Sequence, residues 1–427
     1  MEIMDLSEQN AVWREFYAYK ENQANMRKGE LLELRDYIEG REYLAVLAGI
    51  REGRFPYPEC REINKNGVNR KRMVFVFQKE VSFLLKLIAW LLKRYDYLFA
   101  ENLYSFREGT GVKKAISRVR KETDFSKAYC YKADIHDYFN SVNTEEILQM
   151  LRKFLPEEPR LIRLFQMMFQ NPYVRKNGQL VEMKKGIMAG VPTAGFLADL
   201  YLMELDEWFA ERGILYARYS DDIIVFSESP QEIAEYETVI KEFLKEKKLE
   251  LNPEKETHTV PGEKIEFLGF TFSEHRAEVS DMTIKKMKDK LRRKARALYR
   301  WKLKKPADDE RTAKAFIRFL NKKFYDNPVR GEITWCRWYF PVITDDLKLK
   351  ILDEYAVQCI RYLYTGKHGK KNYDLRYEQI KELGFQSLVN QYWKFKKGKS
   401  YGTDKRADRK RESETKKYCL DHRDAAE

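Results

Sequence analysis

The spacing of apolar residues divides the chain into a helical beginning, a mixed middle and a helical end. Over residues 1–60, Leu, Ile and aromatic side chains recur at helical spacing among Glu and Lys, which predicts a helical N-terminal extension ending near the turn-forming stretch Gly53–Pro58. From 61 to 275, short apolar runs are interspersed with helical patterns. Because strands and helices do not alternate strictly, the pattern favours an α+β fold over a doubly wound sheet.

Four strands and four helices are predicted in this middle region. The strands are Arg72–Phe77, Tyr129–Ile135, Asp222–Ser227 and Ile265–Phe272. Helical periodicity covers Phe83–Leu92, Thr144–Phe154, Phe196–Phe209 and Glu232–Lys247. Acidic residues stand at the ends of two of these predicted strands.

Beyond residue 275 the chain is basic and helical. Residues 284–305 contain 12 Lys or Arg and one Asp, in a chain whose net charge is +14. Ile284, Met287 and Leu291 recur at helical spacing and give this helix one apolar face. A solvated helix face is the simplest explanation of a charge run, but the bias towards one sign favours contact with a phosphate backbone.

Several classes of protein are excluded by what the chain lacks. No apolar run reaches the 18 residues of a membrane span, and the polar start does not have the pattern of a secretory signal. The five histidines show no zinc-ligand spacing. The cysteines form no CxxC pair and are expected to be reduced packing residues: Cys60, Cys130, Cys336, Cys359 and Cys419. A basic cytoplasmic protein that binds a polyanion is the expected class.

Two acidic segments carry the candidate chemistry. Adjacent acids open an apolar strand in Tyr219–Asp222, where like charges are unfavourable unless a cation binds them. Asp134 ends another predicted strand. Two-metal phosphoryl transfer needs carboxylates from separate elements that converge on ions about 4 Å apart, and Mg²⁺ prefers oxygen ligands. An ordinary turn between strands, where Asp is common, explains the first segment equally well when it is taken alone.

Together these segments resemble motifs A and C of reverse transcriptases, and further motifs follow in the family's order. Lys65–Val74 looks like the fingers hairpin, Phe99–Gly109 like the bacterial segment F-x-x-x-S-Y-G-F-R-P-G, Gly186–Leu202 like motif B, Leu251–Lys255 like motif D and Phe267–Phe270 like the primer grip. The resemblance covers about half of the chain. It implies a right-hand polymerase fold with fingers and an antiparallel palm sheet in 61–275, a basic α-helical thumb and RNA-binding region in 276–398, and a disordered tail in 399–427.

The resemblance also implies a metal site. Asp134 and Asp221 would bridge two Mg²⁺ ions, for which Mn²⁺ is a substitute, with Asp222 in support and Ile135 among the ligands. Lys255 would protonate the pyrophosphate leaving group, with a plain surface lysine as the alternative. These residues are the expected catalytic and metal-binding set.

The expected dNTP site is formed by Lys65, Arg72, Phe139 and Gly190. Lys65 and Arg72 would neutralise the triphosphate, unless they belong to an ordinary exposed basic loop. Phe139 would lie under the sugar and exclude a 2′-hydroxyl, the alternative being a core aromatic. Gly190 suggests a close approach of the backbone to the base pair.

Motif B departs from the family in three places. Met188-Ala189-Gly190 replaces the usual Pro-Gln-Gly, Ala194-Gly195 replaces Ser-Pro, and Asp199 replaces Asn. These differences concern the contacts with the template and the nascent base pair rather than the metal chemistry.

The resemblance implies an RNA-directed DNA polymerase that makes cDNA from dNTPs on an RNA template, expected to be a partner non-coding RNA. The chain looks like the bacterial group II intron-like or unknown-group branch, and like class 2 defence enzymes in length, which implies antiphage defence in the bacterial cytoplasm. No membrane contact is expected, and an oligomer is left open.

Four alternatives remain open at this point. They are a retroelement enzyme (retron or group II intron-like), a template-independent DNA polymerase, an RNA-dependent RNA polymerase, and a catalytically silent RNA-binding scaffold. Phe139 disfavours RNA synthesis, the absence of Val-Thr-Gly disfavours a retron, and the complete set of acids disfavours a scaffold.

Overall fold

The computed structural model describes residues 1–22, 26, 28–64, 71–274, 276–304, 308–325, 334–366 and 370–398. Its helices and strands confirm the predicted α+β class. The described residues form two compact units. The first is built from Met1–Lys20, Gly29–Leu268 and Phe272–His275, and the second from Glu21–Lys28, Gly269–Thr271 and Arg276–Glu427.

Four helices open the chain: α1 (Ile3–Leu6), α2 (Asn10–Glu21), α3 (Lys28–Glu39) and α4 (Tyr43–Arg51). A buried carboxylate fixes the first of them. The Ile3 N–H donates to Glu158 at 2.7 Å, and the Tyr95 hydroxyl donates to the same carboxylate at 2.8 Å. Arg94 neutralises it. The N-terminus is therefore attached to the first unit by a paired, buried charge.

A mixed sheet follows, with strand order β2-β1-β4-β5. Its strands are β1 (Glu59–Asn64), β2 (Lys71–Val76), β4 (Tyr173–Lys176) and β5 (Gln179–Glu182). β1 pairs antiparallel with β2 and parallel with β4. β2 carries Arg72, the residue expected to bind the triphosphate.

The second four-stranded sheet is antiparallel, with order β6-β7-β3-β8. Its strands are β3 (Tyr129–Asp134), β6 (Tyr216–Tyr219), β7 (Asp222–Ser227) and β8 (Thr257–Thr259). The apolar run of β7 is buried without alternation, as expected for a strand covered on both faces. This sheet carries the acids.

The remaining helices of the first unit surround these sheets. They are α5 (Lys79–Leu91), α6 (Val112–Glu122), α7 (Tyr138–Ser141), α8 (Thr144–Phe154), α9 (Pro159–Gln170), α10 (Ala194–Tyr201), α11 (Met203–Glu211) and α12 (Pro230–Glu246), with 3₁₀ turns at Leu92–Leu98 and Pro253–Lys255. α8 matches its predicted bounds. The Asn143 side chain accepts the Glu145 N–H at its start and basic residues lie in its last turn, so both helix ends are stabilised.

Two predicted elements are each divided in the structure. The predicted strand 265–272 is β9 (Ile265–Phe267) and β10 (Phe270–Phe272), because Leu268 and Gly269 adopt positive φ angles of 51° and 83° that end an extended strand. The predicted helix 196–209 is α10 and α11, separated by Leu202 with φ −111° and ψ 9°. Apolar periodicity continues across both breaks, so it did not reveal them.

The second unit is helical, apart from the short strand β11 (Ala277–Val279). Its helices are α13 (Asp281–Lys304), α14 (Asp309–Phe324), α15 (Trp335–Tyr339), α16 (Leu347–Thr365), α17 (Tyr377–Glu382) and α18 (Leu388–Lys396), with a 3₁₀ turn at Lys370–Asp374. α13 is the predicted basic helix. Its buried residues are Ile284, Met287, Leu291 and Ala295, and it packs against α14 and α16.

Some expectations concern residues that are not described. Lys65 and most of the fingers hairpin, His275, Cys419 and the tail 399–427 lie outside the described residues. Within the described part of the chain, the other four cysteines are buried thiols, as expected for packing residues. Among the described residues, none of the helices combines the length and apolar character needed to cross a membrane.

Candidate active site

Three aspartates meet at one end of the antiparallel sheet. Asp134 is the last residue of β3 and pairs in register with Asp222, the first residue of β7. Asp221 lies in the turn between β6 and β7, and its carbonyl accepts the Ile135 N–H at 3.0 Å. Asp134 is 87 positions before Asp221 and 88 before Asp222 in the sequence, and the fold brings all three to one edge of the sheet. Their catalytic roles stay a prediction.

The turn that carries Asp221 is narrow and strained. Tyr219 pairs with Asp222, so Ser220 and Asp221 form a two-residue hairpin loop. Ser220 has a φ of 61°, in the left-handed region that such loops require. Its N–H donates to the Ser105 hydroxyl at 2.9 Å. The loop conformation is therefore held from outside the hairpin.

The acids repel one another in a partly desolvated position. Burial, followed by the charges of Asp221 and Asp134, raises the pKa of Asp222 to about 7. Burial and the Asp134 charge also raise the pKa of Asp221, although Lys255 and Arg72 oppose this. The Lys255 ammonium contacts the Asp134 carboxylate directly. The site holds more negative charge than these cations offset.

The donor chemistry suits a hard divalent cation. Within the described residues, no three His, Cys, Asp or Glu side chains converge as placed on one point where an ion would be held, and Lys255 contacts one oxygen of Asp134. Nevertheless the three nearby acids supply the carboxylate oxygens that Mg²⁺ prefers. A bound cation would remove the repulsion that raises the pKa of Asp222. On this ground Asp134, Asp221 and Asp222 fit Mg²⁺, and the predicted ligand Ile135 lies beside them.

A buried arginine, which no sequence pattern indicated, supports the hairpin that carries Asp221. Arg218 of β6 is 0% exposed. Its Nε donates to Asp206 of α11 at 2.8 Å, with a second bond from its Nη2 to the same carboxylate. Its Nη1 donates to the Ser220 carbonyl at 3.1 Å. One side chain thus links α11 to the turn that carries Asp221.

Asp199, the replacement for the usual Asn, belongs to the same network. It is 1% exposed, and it accepts the Ser105 hydroxyl at 2.7 Å. Burial raises the pKa of Asp199 to about 8 against the opposing charge of Arg218. Arg218 Nη1 also lies 3.6 Å from the Asp199 carboxylate. Asp199 thus joins the Ser105 hydroxyl to the same buried arginine that supports the hairpin.

The motif B loop lies against both Arg72's strand and α7. The Phe75 N–H donates to the Ala189 carbonyl at 2.8 Å, and a Cβ on Gly190, whose φ is 98°, would lie 3.3 Å from the Phe75 carbonyl oxygen. A Cβ on Gly186 would lie 2.7 Å from the Asn140 carbonyl carbon. Gly190 is therefore a place of close backbone approach, here to β2. Gly186, with a φ of 47°, makes a second close approach, which the sequence did not predict.

Arg72 and Phe139 lie together beside the acids. The Arg72 guanidinium is 5.7 Å from the centre of the Phe139 ring, and its charge opposes the rise that burial causes in the pKa of Asp221. Phe139 lies on α7, five residues after Asp134, and is half-buried. The structure brings these two predicted residues to the acid cluster, while Lys65 lies outside the described residues.

Lys185 is a buried cation that the sequence analysis did not single out. It is 4% exposed, and burial lowers its pKa to about 8. No acid pairs with its ammonium in the described part of the chain. An exposed lysine, Lys184, precedes it, so the pair of lysines gave no sign of which one is buried.

Comparison with protein families gives a match over the part of the chain that carries the motifs. Residues 63–272 match the family described as reverse transcriptase (RNA-dependent DNA polymerase). The right-hand polymerase fold expected from the motifs is confirmed. None of the curated proteins compared with the chain matches it.

Two solved structures show a distant likeness. Telomerase from Candida tropicalis, in its apo form and truncated from the C-terminal domain, is 13% identical with a TM-score of 0.41, covering 52% of this chain and 55% of the other. Telomerase from Candida albicans in complex with a fragment of telomeric RNA is 11% identical with a TM-score of 0.42, covering 84% and 68%. The chain spans about half the length of the first of these proteins.

Proposed function

We propose that the protein is an RNA-directed DNA polymerase that makes cDNA by two-metal nucleotidyl transfer, because residues 63–272 match the reverse transcriptase family. The observation that carries the proposal is the register of Asp134 with Asp222, with Asp221 in the adjoining turn. Three acids at one sheet edge destabilise the fold by mutual repulsion. A site that binds cations explains why they are present.

Each site residue has a role in this proposal. Asp134, Asp221 and Asp222, with Ile135, would hold two Mg²⁺ ions, for which Mn²⁺ is a substitute. When bound, the ions would lower the pKa of the primer 3′-hydroxyl and stabilise the charge of the in-line transition state. Asp134 and Asp222 lie on paired strands and Asp221 lies in the adjoining turn, so the sheet and its hairpin fix the separation of the three acids.

The substrate would lie between the acids and β2. Arg72 offers a planar fork of donors to the triphosphate, and Lys65 would add a second charge. Phe139, next to Arg72, would lie under the sugar and reject a 2′-hydroxyl. Gly190 keeps the motif B turn close to β2 and so borders the same space.

Lys255 would act as the acid for the leaving group. Its ammonium contacts Asp134 in the structure. That contact must therefore be exchanged before Lys255 can donate a proton to pyrophosphate. Because Lys255 is half-exposed on a 3₁₀ turn, its side chain has room to move.

The finer proposal is that the template is a partner non-coding RNA and that cDNA synthesis serves antiphage defence in a bacterial cytoplasm. The motif segments and the one-sign charge of α13 support binding of a long RNA. A retroelement enzyme or a template-independent polymerase would use the same acids. A catalytically silent scaffold would gain stability by losing them.

Primer extension tests the activity. Purified protein receives an RNA template, a labelled DNA or RNA primer, dNTPs and Mg²⁺. We expect cDNA from the wild type and from Asp124→Asn, an exposed acid in the same unit, and none from Asp221→Asn/Asp222→Asn. Equal product from the double variant would overturn the assignment of the acids. No product from the wild type with any primer would favour the scaffold.

Sequencing of bound nucleic acids tests the finer proposal. RNA and DNA are sequenced from wild-type protein and Asp221→Asn/Asp222→Asn, both isolated from the native host. One structured RNA with complementary DNA only in the wild type supports a partner template. DNA with no complement in the bound RNA indicates untemplated synthesis and contradicts that proposal.

A further inference from the structure

Phe106 is an exposed aromatic residue in a strained backbone conformation. Its side chain is among the exposed large hydrophobic residues, with 51% accessible surface, and its φ of 52° is in the left-handed region. A bulky residue rarely adopts that conformation. Strain of this kind is commonly found at functional sites, where the surrounding structure imposes it. The position of the ring therefore needs an explanation.

The surrounding loop holds Phe106 firmly. The Tyr104 N–H donates to the Arg218 carbonyl at 2.9 Å, and the Ser105 hydroxyl binds Asp199 at 2.7 Å. On the other side, Arg107 Nη1 donates to the Ala100 carbonyl at 2.6 Å. The residues that flank Phe106 are thus attached to β6, α10 and their own loop, so the ring has a defined place.

Gly195 makes room for the ring. A Cβ at this second residue of α10 would lie 2.7 Å from Cγ and 2.8 Å from Cδ1 of Phe106. Contacts this short do not occur between real atoms, and both atoms belong to a rigid ring. Gly195 is one of the motif B positions where this chain departs from the usual Ser-Pro. The departure therefore has a local physical reason.

The ring of Phe106 meets Phe139 edge to face. Their ring centres are 6.1 Å apart with an interplanar angle of 88°, a favourable geometry for two aromatic rings. Arg72 lies 5.7 Å from the centre of the same Phe139 ring. Phe139 is therefore contacted by two residues. Phe106 reaches it from segment 99–109, and Arg72 reaches it from β2.

We propose that Phe106, admitted by Gly195, is a specificity-determining residue that holds Phe139 in place against the sugar of a 2′-deoxynucleoside triphosphate. The inference rests on the proposed polymerase function. It adds Phe106 and Gly195 to Phe139 as residues that select dNTP over rNTP. A Phe139 ring that is held rigidly excludes the 2′-hydroxyl better than a ring that is free to turn away. The reason is that a shift of the ring by less than an atomic diameter would remove the steric clash.

Discrimination between dNTP and rNTP measures this directly. The ratio of kcat/KM for dNTP to that for rNTP is determined for the wild type, Phe106→Ala and Phe139→Ala. Phe139→Ala is expected to lose most of the discrimination, and Phe106→Ala to lower the ratio about tenfold, the scale of one favourable aromatic contact. Phe106→Tyr keeps the ring and is expected to keep the ratio. Tyr97→Ala, which removes an exposed ring elsewhere, is the matched control.

A double-variant cycle tests the role of Gly195. Gly195→Ala alone is expected to lower the ratio, since its Cβ displaces the Phe106 ring. In the Phe106→Ala background the same change meets no ring, so its additional effect is expected to disappear. Thermal unfolding of each variant is measured together with the ratio of kcat/KM for dNTP to that for rNTP. The double-variant cycle is calculated from variants whose melting temperature equals that of the wild type. Additive effects would overturn the proposed contact.

The outcomes separate this inference from the polymerase proposal. An unchanged ratio in Phe106→Ala, beside a lost ratio in Phe139→Ala, overturns the inference and leaves the polymerase intact. An equal loss for both nucleotides in Phe106→Ala also overturns it, because the ring then serves binding in general. If the wild type incorporates neither nucleotide, the proposed function fails and the inference fails with it.

Discussion

Two groups of charged residues lie close to the β6–β7 hairpin. On its buried side, Arg218 is paired with Asp206 through two hydrogen bonds. At the sheet edge, Asp134, Asp221 and Asp222 lie near one another. Both groups of charges lie on or beside the same two strands. The buried group is fully enclosed, and its acid and base are matched in geometry. The edge group is partly accessible, and burial and mutual repulsion raise the pKa of Asp222 to about 7.

The contrast is between charges that are paired inside the fold and charges that lie mostly unpaired among the described residues at the sheet edge. A buried charge destabilises a protein by several kcal/mol unless a partner is close, and Arg218 has such a partner. The three edge acids have Lys255 in contact with only one of them. Under the proposed function, Mg²⁺ would offset the negative charge that remains among these described residues.

Removal of the buried partner should have the largest effect. Arg218→Met leaves Asp206 buried without its counter-charge and is expected to lower the free energy of unfolding by about 3–5 kcal/mol. Urea unfolding followed by circular dichroism measures this. Arg35→Met, at an arginine that is half-exposed and paired with an exposed Asp36, should change it by less than about 1 kcal/mol.

A second variant sharpens the first prediction. Arg218→Met/Asp206→Leu removes both charges, and should recover most of the lost stability because apolar replacement of a buried pair is often neutral. If Arg218→Met were as stable as Arg35→Met, the pair would not be what holds the hairpin.

The edge acids should respond to a metal ion. Mg²⁺ at about 100 times its dissociation constant is expected to raise the free energy of unfolding by about 2–3 kcal/mol. Asp221→Asn/Asp222→Asn should show no such increase, and Asp124→Asn should behave like the wild type. Thermal unfolding with and without Mg²⁺ is the measurement, and it does not depend on enzymatic activity. Equal stabilisation of the double variant would place the ion elsewhere.

Ser105 connects the buried charges to the turn that carries Asp221, and this connection can be weakened on its own. Ser105 accepts the Ser220 N–H at 2.9 Å and donates to Asp199 at 2.7 Å. Ser105→Ala leaves that buried N–H without its partner and should lower the free energy of unfolding by about 1–3 kcal/mol. It should also weaken Mg²⁺ binding, since the turn carries Asp221. Ser117→Ala, at an exposed serine of α6, is the control; a Ser105→Ala protein with unchanged Mg²⁺ binding would show that the turn keeps its shape unaided.

The sequence revealed the acids at the sheet edge far better than it revealed the buried Arg218–Asp206 pair. Adjacent acids before an apolar strand are conspicuous, so Asp134, Asp221 and Asp222 were predicted and do meet. Arg218 was not predicted, because an arginine in a short strand is ordinarily taken as exposed. Its burial depends on Asp206, which lies on a different element, and no local pattern reports that pairing.

The fold shows the same division between local and distant causes. Helix α8 was predicted to the residue from its apolar periodicity, which is a local signal, as are the capping residue and charged ends that the structure adds. The breaks at Leu202 and Leu268 were missed, because each depends on the backbone angles of one or two residues within a continuous apolar pattern. The contact of Gly195 with Phe106 likewise joins segments about ninety positions apart in the sequence.

Lys185 offers the smallest effect and the opposite sign. Unlike Arg218, it is buried with no paired acid in the described residues, and burial lowers its pKa to about 8. The unfolded chain then binds more protons than the folded one between that pKa and the ordinary value of about 10.4, so stability rises with pH across this window. Lys185→Met should abolish that rise.

At pH 7 the same variant should be more stable than the wild type by about 1–2 kcal/mol, allowing for partial screening by solvent. Urea unfolding at pH 7 and pH 10 measures both effects, and Lys184→Met, at the exposed neighbour, should show neither. A Lys185→Met protein that is less stable at pH 7 would mean that the ammonium has a stabilising partner after all. In that case Lys185 would belong with Arg218, among the charges that the fold itself neutralises.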